Sequence, residues 1–69
     1  MQILVFKTDV KFKKDVHAVM PHLDKMQDVI KWNFDLSDVD KILRVETDNM
    51  PPVKVEQTLQ RAGFYCSEL

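Results

Sequence analysis

The sequence has little cysteine, glycine or net charge, and each scarcity excludes a class of protein. Cys66 is the only cysteine among 69 residues, so an intramolecular disulfide framework is excluded. A single glycine provides neither a flexible linker nor a Gly-rich phosphate-binding loop. The net charge of −1 argues against strong affinity for nucleic acid or for a membrane surface.

Long hydrophobic runs are absent as well. No apolar run approaches the length of about 18 residues that a membrane-spanning helix needs. The N-terminal run has no basic region before it and no small-residue cleavage site after it, so it predicts a strand and not a signal peptide. With 45% apolar and 30% charged residues, the composition indicates one small globular domain over residues 1–69, which we expect in the cytoplasm.

The first half of the chain changes from a strand pattern to a helix pattern near residue 12. Residues 2–7 include four consecutive apolar side chains and predict a central strand. Asp9 is predicted to cap the following helix, and Pro21 to kink or break it. The apolar stripe of this amphipathic helix consists of Phe12, Val16, Val19, Met20, Leu23 and Met26.

The second half predicts a hairpin, a helix and a short closing strand. Residues 30–36 alternate apolar and polar side chains, which predicts a half-buried strand, and residues 41–47 predict its partner. Pro52 suits the first turn of the second helix and Gly63 the position after its end. The residues that we expect to be buried here are Ile30, Trp32, Phe34 and Leu36 of the strand and Val55, Leu59 and Ala62 of the helix.

The element order β-α-β-β-α-β predicts an α/β (α+β) fold of the ferredoxin-like type. We therefore expect a four-stranded antiparallel sheet with two helices on one face. The strands at residues 2–7 and 41–47 carry apolar side chains on both sides, so part of the open face is either exposed or covered by a partner. A homodimer through the sheet face and a monomer with a partly exposed sheet both remain open.

The whole chain resembles the heavy-metal-associated domain, the fold of small copper chaperones and of the N-terminal modules of copper-transporting ATPases. VEQTLQRAGF, residues 55–64, is similar to the closing pattern of that family. WNFDL, residues 32–36, is similar to its second strand, and VHAVMPHL, residues 16–23, to its first helix. The resemblance implies the same fold as the element order does.

The metal motif of that family, Met-x-Cys-x-x-Cys, is missing from this chain. Aligned from the helix stripe, Lys7 stands at the Met position, Asp9 at the first Cys and Phe12 at the second. A carboxylate and a phenyl ring cannot replace two thiolates around Cu(I). The resemblance therefore implies a degenerate domain without its metal ligands, and we expect Phe12 to fill the core beneath the loop.

Lysines cluster in and beside this loop at Lys7, Lys11, Lys13 and Lys14. Cations at a helix N-terminus oppose the helix dipole, so the cluster is either a solvated face or a docking patch for an acidic partner or a small anion. We take the docking patch as the working hypothesis. Opposite charge is concentrated in the hairpin and the segment after it, at Asp35, Asp38, Asp40, Glu46 and Asp48.

Catalytic residues and cofactors are not expected. Ser37 and Ser67 have no evident histidine partner, and the carboxylates have the pattern of surface charge. The sequence thus predicts a small non-catalytic domain for protein interaction or self-association.

Metal binding through other ligands, copper or zinc held by Cys66 with His17 or His22, is the alternative. The two histidines are about 140° apart around a helix, so they do not share a face and we expect them to be surface residues.

Overall fold

The computed structural model covers residues 1–69 and contains one four-stranded antiparallel sheet and two helices. The strands lie in the order β2-β3-β1-β4, so the sheet is the predicted ferredoxin-like arrangement. Neither helix is long and apolar enough to cross a membrane. In chain order the elements are β1 Gln2–Thr8, α1 Lys13–Asp24, β2 Val29–Asp35, β3 Ile42–Thr47, α2 Pro52–Arg61 and β4 Cys66–Glu68.

A single apolar layer between the sheet and the two helices holds the fold together. In the central pair of strands, Leu4 and Phe6 of β1 lie opposite Val45 and Leu43 of β3, and all four side chains are buried. Each such side chain contributes about 1.5–3 kcal/mol when fully buried. The whole core cluster consists of Leu4, Phe6, Val10, Val19, Leu23, Leu43, Val45, Met50, Val55, Leu59 and Cys66.

The second helix follows its sequence pattern closely. It begins at Pro52, and its buried side chains Val55 and Leu59 belong to the predicted stripe. Gly63 has φ +95°, a left-handed conformation that suits glycine. Its N–H donates to the Gln60 carbonyl, and the Phe64 N–H donates to the Leu59 carbonyl. This pair of hydrogen bonds is the Schellman ending of a helix, so the predicted boundary is confirmed.

The prediction of a buried Ile30 is wrong. Val29 pairs with Thr47 and Lys31 pairs with Glu46, so Ile30 is an extra residue in a β-bulge and is 57% exposed. Val29 takes the half-buried place instead. Beyond the bulge the predicted alternation holds, and Trp32 and Phe34 pack against the core with their rings edge to face, 5.9 Å between centroids.

The first helix is not broken at Pro21 but continues to Asp24. A proline has no N–H, so it leaves the carbonyl of the residue four positions earlier, His17, without its helical donor. Both Pro21 and His17 lie on the exposed side of α1, where water can bond that carbonyl. The position of the proline on the helix surface explains why one missing bond does not end the helix.

Asp9 does not cap the first helix, contrary to the sequence prediction. The N-cap is Phe12, with extended backbone angles of φ −125° and ψ 159°. A phenyl ring cannot accept a hydrogen bond, so the Asp15 carboxylate supplies the cap from inside the first turn. Its Oδ2 accepts from the backbone N–H of Phe12 at 3.1 Å and of Lys11 at 3.3 Å.

Phe12 does not fill the core either, and the prediction that it would is wrong. Its side chain is 59% exposed, whereas Val10, two residues earlier, is fully buried in the core cluster. The loop between β1 and α1 therefore directs a small aliphatic side chain inward and presents the larger phenyl ring to solvent.

This reversal predicts unequal effects of two alanine substitutions. We expect Val10→Ala to lower the free energy of unfolding by about 2 kcal/mol, because it removes buried methyl groups and leaves a cavity. Phe12→Ala is expected to change it by less than about 0.5 kcal/mol, because the ring is exposed. Urea unfolding of both variants checks this, and a larger loss for Phe12→Ala would contradict the placement of the two side chains.

Candidate functional site

Three loops meet at the end of the sheet where β1 finishes: residues 9–12, 36–41 and 62–65. The Thr8 backbone N–H donates to the Asp40 carbonyl at 3.1 Å, and the Thr8 hydroxyl donates to the Lys41 carbonyl at 2.6 Å. On the other side, the Asp9 carboxylate Oδ1 accepts from the Tyr65 backbone N–H at 2.8 Å. These bonds fix the 9–12 loop between its two neighbours.

Asp9, which the sequence resemblance aligns with the first cysteine of the metal motif, therefore serves a structural purpose. Its carboxylate joins two loops that are 56 positions apart in the sequence. Oδ1 is occupied by the Tyr65 N–H, and one carboxylate without ligating neighbours does not make a metal site.

Lys11, Lys13 and Lys14 flank Phe12 in the sequence at the start of α1, and all four side chains are exposed. The Lys14 ammonium nitrogen is 5.6 Å from the centroid of the Phe12 ring, within the range of a cation–π contact. We call Lys11, Phe12, Lys13 and Lys14 the basic loop surface. Tyr65, 53% exposed in the adjoining loop, adds a second exposed aromatic residue near it.

Lys7 does not join the other three lysines. Along β1 the buried residues are Leu4, Phe6 and Thr8, so Lys7 points to the open face of the sheet, away from the helices. The four predicted docking residues are thus divided between two sides of the molecule.

The predicted acidic patch is also divided. Asp35, Asp38 and Asp40 lie at the same end of the molecule as the basic loop surface, whereas Glu46 lies on β3 and Asp48 follows that strand at the other end. The Asp35 carboxylate accepts from the Ser37 hydroxyl at 2.7 Å, and this hydrogen bond lowers the pKa of Asp35. The turn thus keeps the negative charge of Asp35 at this end of the molecule over the whole physiological pH range.

The open face of the sheet is less apolar than the sequence suggested. Leu4, Phe6, Leu43 and Val45 all point toward the helices, which leaves few apolar groups outside. The residues that point outward are Ile3, Val5 and Lys7 on β1, Ile42, Arg44 and Glu46 on β3, and Lys31, Asn33 and Asp35 on β2. Only the isoleucine at position 3, 58% exposed, offers a large accessible apolar side chain.

The alternative ligands are not gathered in one place. Cys66 is 3% exposed in β4, paired with Thr8, and burial together with the charge of Glu56 raises the pKa of its thiol to about 12. His17 and His22 are exposed on α1, in line with the expectation of surface histidines. No group of three or more His, Cys, Asp or Glu side chains is placed to hold a metal ion.

Sequence reasoning missed two residues of this region. Asp15 lies three positions after the N-cap, where an acidic side chain commonly reaches back to the cap, so the pattern could have identified it. Tyr65 carries no such signal, because its role depends on the Asp9 carboxylate that accepts from its backbone N–H.

The architecture defined above is that of heavy-metal-associated domains, which confirms the resemblance in fold. The yeast copper transporter domain CCC2A, solved in apo and Cu(I)-loaded states, is 17% identical and superposes with a TM-score of 0.85 over 100% of this chain and 96% of that one. The N-terminal domain of ZntA in its Zn(II) form is 19% identical, with a TM-score of 0.80 over 96% of this chain and 89% of that one.

A third similar structure is the apo form of the HMA domain of the copper chaperone for superoxide dismutase. It is 22% identical, with a TM-score of 0.80 over 97% of this chain and 65% of that one. At these identities the likeness concerns the fold alone. No protein-family model matches the chain. No curated protein matches it in sequence. The chain thus has the heavy-metal-associated fold with a single, buried cysteine.

The environment of Cys66 predicts a poorly reactive thiol. With its pKa raised to about 12, the thiolate fraction near pH 8 is about a thousandfold below that of an exposed cysteine. We expect an aromatic disulfide reagent to react with the native protein much more slowly than with the protein in denaturant, because burial lowers the thiolate fraction and blocks access to the sulfur. Val39→Cys in a Cys66→Ala background is the control, because residue 39 is 90% exposed. Equal rates for the two native proteins would contradict the buried placement.

Proposed function

We propose that this chain is a non-catalytic protein-docking domain that acts in the cytoplasm and uses the heavy-metal-associated scaffold without its paired thiolates. One observation carries the proposal: the loop between β1 and α1, where the sequence resemblance places the family's metal motif, presents the basic loop surface to solvent. Asp9 is bonded to the neighbouring loop, and Phe12 is 59% exposed beside Lys14. Cations and an aromatic ring, and not metal ligands, are therefore what this loop offers.

The chemistry of the basic loop surface favours an acidic segment that also carries an aromatic or aliphatic side chain. Carboxylates of such a segment would pair with Lys11, Lys13 and Lys14, and its apolar side chain would cover the Phe12 ring. The acidic residues Asp35, Asp38 and Asp40 at the same end of the molecule repel carboxylates, so they restrict the orientations in which an acidic partner can approach. With a net charge of only −1, this local arrangement matters more than the overall field.

The non-catalytic part of the proposal is supported by the surroundings of the hydroxyl groups and by the shape of the surface. The Ser37 hydroxyl donates to Asp35 and has no histidine beside it in that turn. The two surface depressions have volumes of about 280 and 200 Å³, below the range of about 300–1,000 Å³ that is usual for small-molecule sites.

Reversal of two charges tests the docking surface. The probe is a fluorescent peptide of Asp and Glu residues around one Trp, titrated with the protein at low ionic strength. We expect Lys11→Glu with Lys14→Glu to weaken its binding about tenfold, because two attractive contacts become repulsive. Glutamates at a helix N-terminus favour the helix dipole, so a loss of binding would not come from unfolding.

A matched control has the same charge change at the other end of the molecule. Lys25→Glu with Lys54→Glu alters net charge equally, at the end of α1 and in the first turn of α2. If the two double variants weaken binding equally, the peptide responds only to the net charge of the protein. That result would contradict the assignment of the basic loop surface as the docking site.

Copper or zinc binding through Cys66 with His17 or His22 is the competing function. Its support is the fold, since similar domains were solved in Cu(I)-loaded and Zn(II) forms. Within one chain, however, the thiol is buried and protonated while both histidines are exposed on α1.

A metal titration separates the two functions. We expect the reduced protein to compete for neither Cu(I) nor Zn(II) against a chelator of about micromolar affinity, because no ligand group is assembled. The control is Cys66→Ala. Binding at micromolar affinity or tighter that disappears in this variant would overturn the docking proposal in favour of a metal site.

Self-association is the second form of interaction that we propose. The sheet face considered from the sequence supports it weakly, because Ile3 is accompanied on that face by Arg44, Glu46 and Lys31. Two such faces in contact would bury several charges without defined partners, which is unfavourable.

A further inference from the structure

The sheet has one long unpaired edge. β2 lies at the end of the strand order and pairs only with β3. β4 forms the other edge and is three residues long, whereas β2 has seven. None of the backbone hydrogen bonds made by turns, loops and helix ends reaches the residues between 30 and 35. An edge of this length is a template for another strand.

The register shows which backbone groups point outward at this edge. The Leu69 N–H donates to the Val5 carbonyl at 3.0 Å, so Val5 directs its backbone groups toward β4. Val5 is paired with Arg44, which therefore directs its own groups away from β1 and toward Asn33 of β2. Since successive residues of a strand alternate, the free groups of β2 belong to the residues on either side of Asn33.

Those residues are Trp32 and Phe34, and the sequence around them is nearly symmetric. IKWNFDL, residues 30–36, consists of an aliphatic, a charged and an aromatic residue on each side of Asn33, with the two charges opposite in sign. If a second copy of this segment lay antiparallel to the first and centred on Asn33, each charged residue would face a residue of opposite charge. Each aromatic residue would face an aromatic residue.

We propose that two copies of this chain pair antiparallel through β2 about a two-fold axis at Asn33 and form a continuous eight-stranded sheet. Trp32 of each copy lies opposite Phe34 of the other, and both residues exchange their outward backbone hydrogen bonds. Lys31 lies opposite Asp35 of the second copy on the open face. Aromatic pairs and opposite-charge pairs are both favourable across antiparallel strands.

The charged side chains favour the register centred on Asn33 over the two registers that are centred one residue away. Centring on Trp32 would place Lys31 opposite Asn33, and centring on Phe34 would place it opposite Ser37, so either shift loses both ion pairs. The Trp32 and Phe34 rings are half-buried, and the Trp32 indole N–H is fixed to the Asp24 carboxylate at 2.8 Å. The regular pairing covers residues 31–35, because Ile30 lies in the bulge and Leu36 follows the end of β2.

The proposal deepens the self-association part of the proposed function and is independent of the basic loop surface. Sedimentation equilibrium up to about 1 mM protein measures the dimer. We expect Lys31→Glu to weaken dimerisation about tenfold, because two ion pairs become repulsions. Adding Asp35→Lys to Lys31→Glu exchanges the charges and is expected to restore the dimer to within about threefold. Failure of this rescue would overturn the register.

A cross-link distinguishes the edge from the sheet face. Asn33→Cys places two thiols at the two-fold axis in a non-hydrogen-bonded pair, where the Cα atoms of antiparallel strands are about 4.5 Å apart and a disulfide can form. We expect diamide to convert this variant to a covalent dimer. Arg44→Cys, the matched control on the open face, is expected to stay monomeric under the same treatment. A wild-type protein that stays monomeric, or more cross-linking through Arg44→Cys, would refute edge pairing.

Failure of edge pairing and failure of the docking function give different results. Lys11→Glu with Lys14→Glu is expected to leave the dimer unchanged, because neither residue lies on β2. Loss of the dimer with peptide binding retained would reject the edge alone, whereas loss of peptide specificity with a dimer retained would reject the docking surface alone.

Discussion

The antiparallel pairing of β1 with β3 is the interaction on which the other features of this molecule depend. Its register places Leu4 and Phe6 opposite Val45 and Leu43 and so directs these side chains to the helices. The same register leaves the intervening residues, including the charged Lys7, Arg44 and Glu46, on the open face. Because backbone groups alternate in direction along β3, this register also determines the hydrogen bonding of β2. The backbone groups of Asn33 bond to β3, whereas those of Trp32 and Phe34 are free at the edge of the sheet.

Much of the fold could be predicted from the sequence because its patterns are local. The second helix has a proline at its start and a glycine after its end, and both act through their own backbone angles. Ile30 could not be placed in this way, because a bulge changes the alternation and depends on how β2 meets β3. The break considered at Pro21 does not occur, and only the tertiary structure shows that this side of α1 faces solvent.

In the candidate site, too, features set by local sequence could be predicted and features set by distant contacts could not. Phe12 fits a helical stripe by spacing, yet as N-cap it has extended backbone angles, so helical geometry does not apply to it and Val10 occupies the core instead. The side of β1 on which Lys7 lies could be predicted from the sequence. Lys7 is four residues after Ile3, and side chains an even number of residues apart share one face of a strand. The role of Asp9 was not accessible, because its partner is a backbone N–H at Tyr65, which no local pattern connects to it.

Docking and edge pairing, taken together, have a geometric consequence. The basic loop surface lies at the end of β1, and an antiparallel pair of β2 strands points the corresponding ends of two copies in opposite directions. A dimer would then display its two docking surfaces at opposite ends of an eight-stranded sheet, so one short acidic segment could not reach both. Linked binding sites gain apparent affinity only when both can be engaged at once. A short peptide should therefore bind each surface independently, and dimerisation would increase affinity only for a partner whose acidic segments are separated by the width of the dimer.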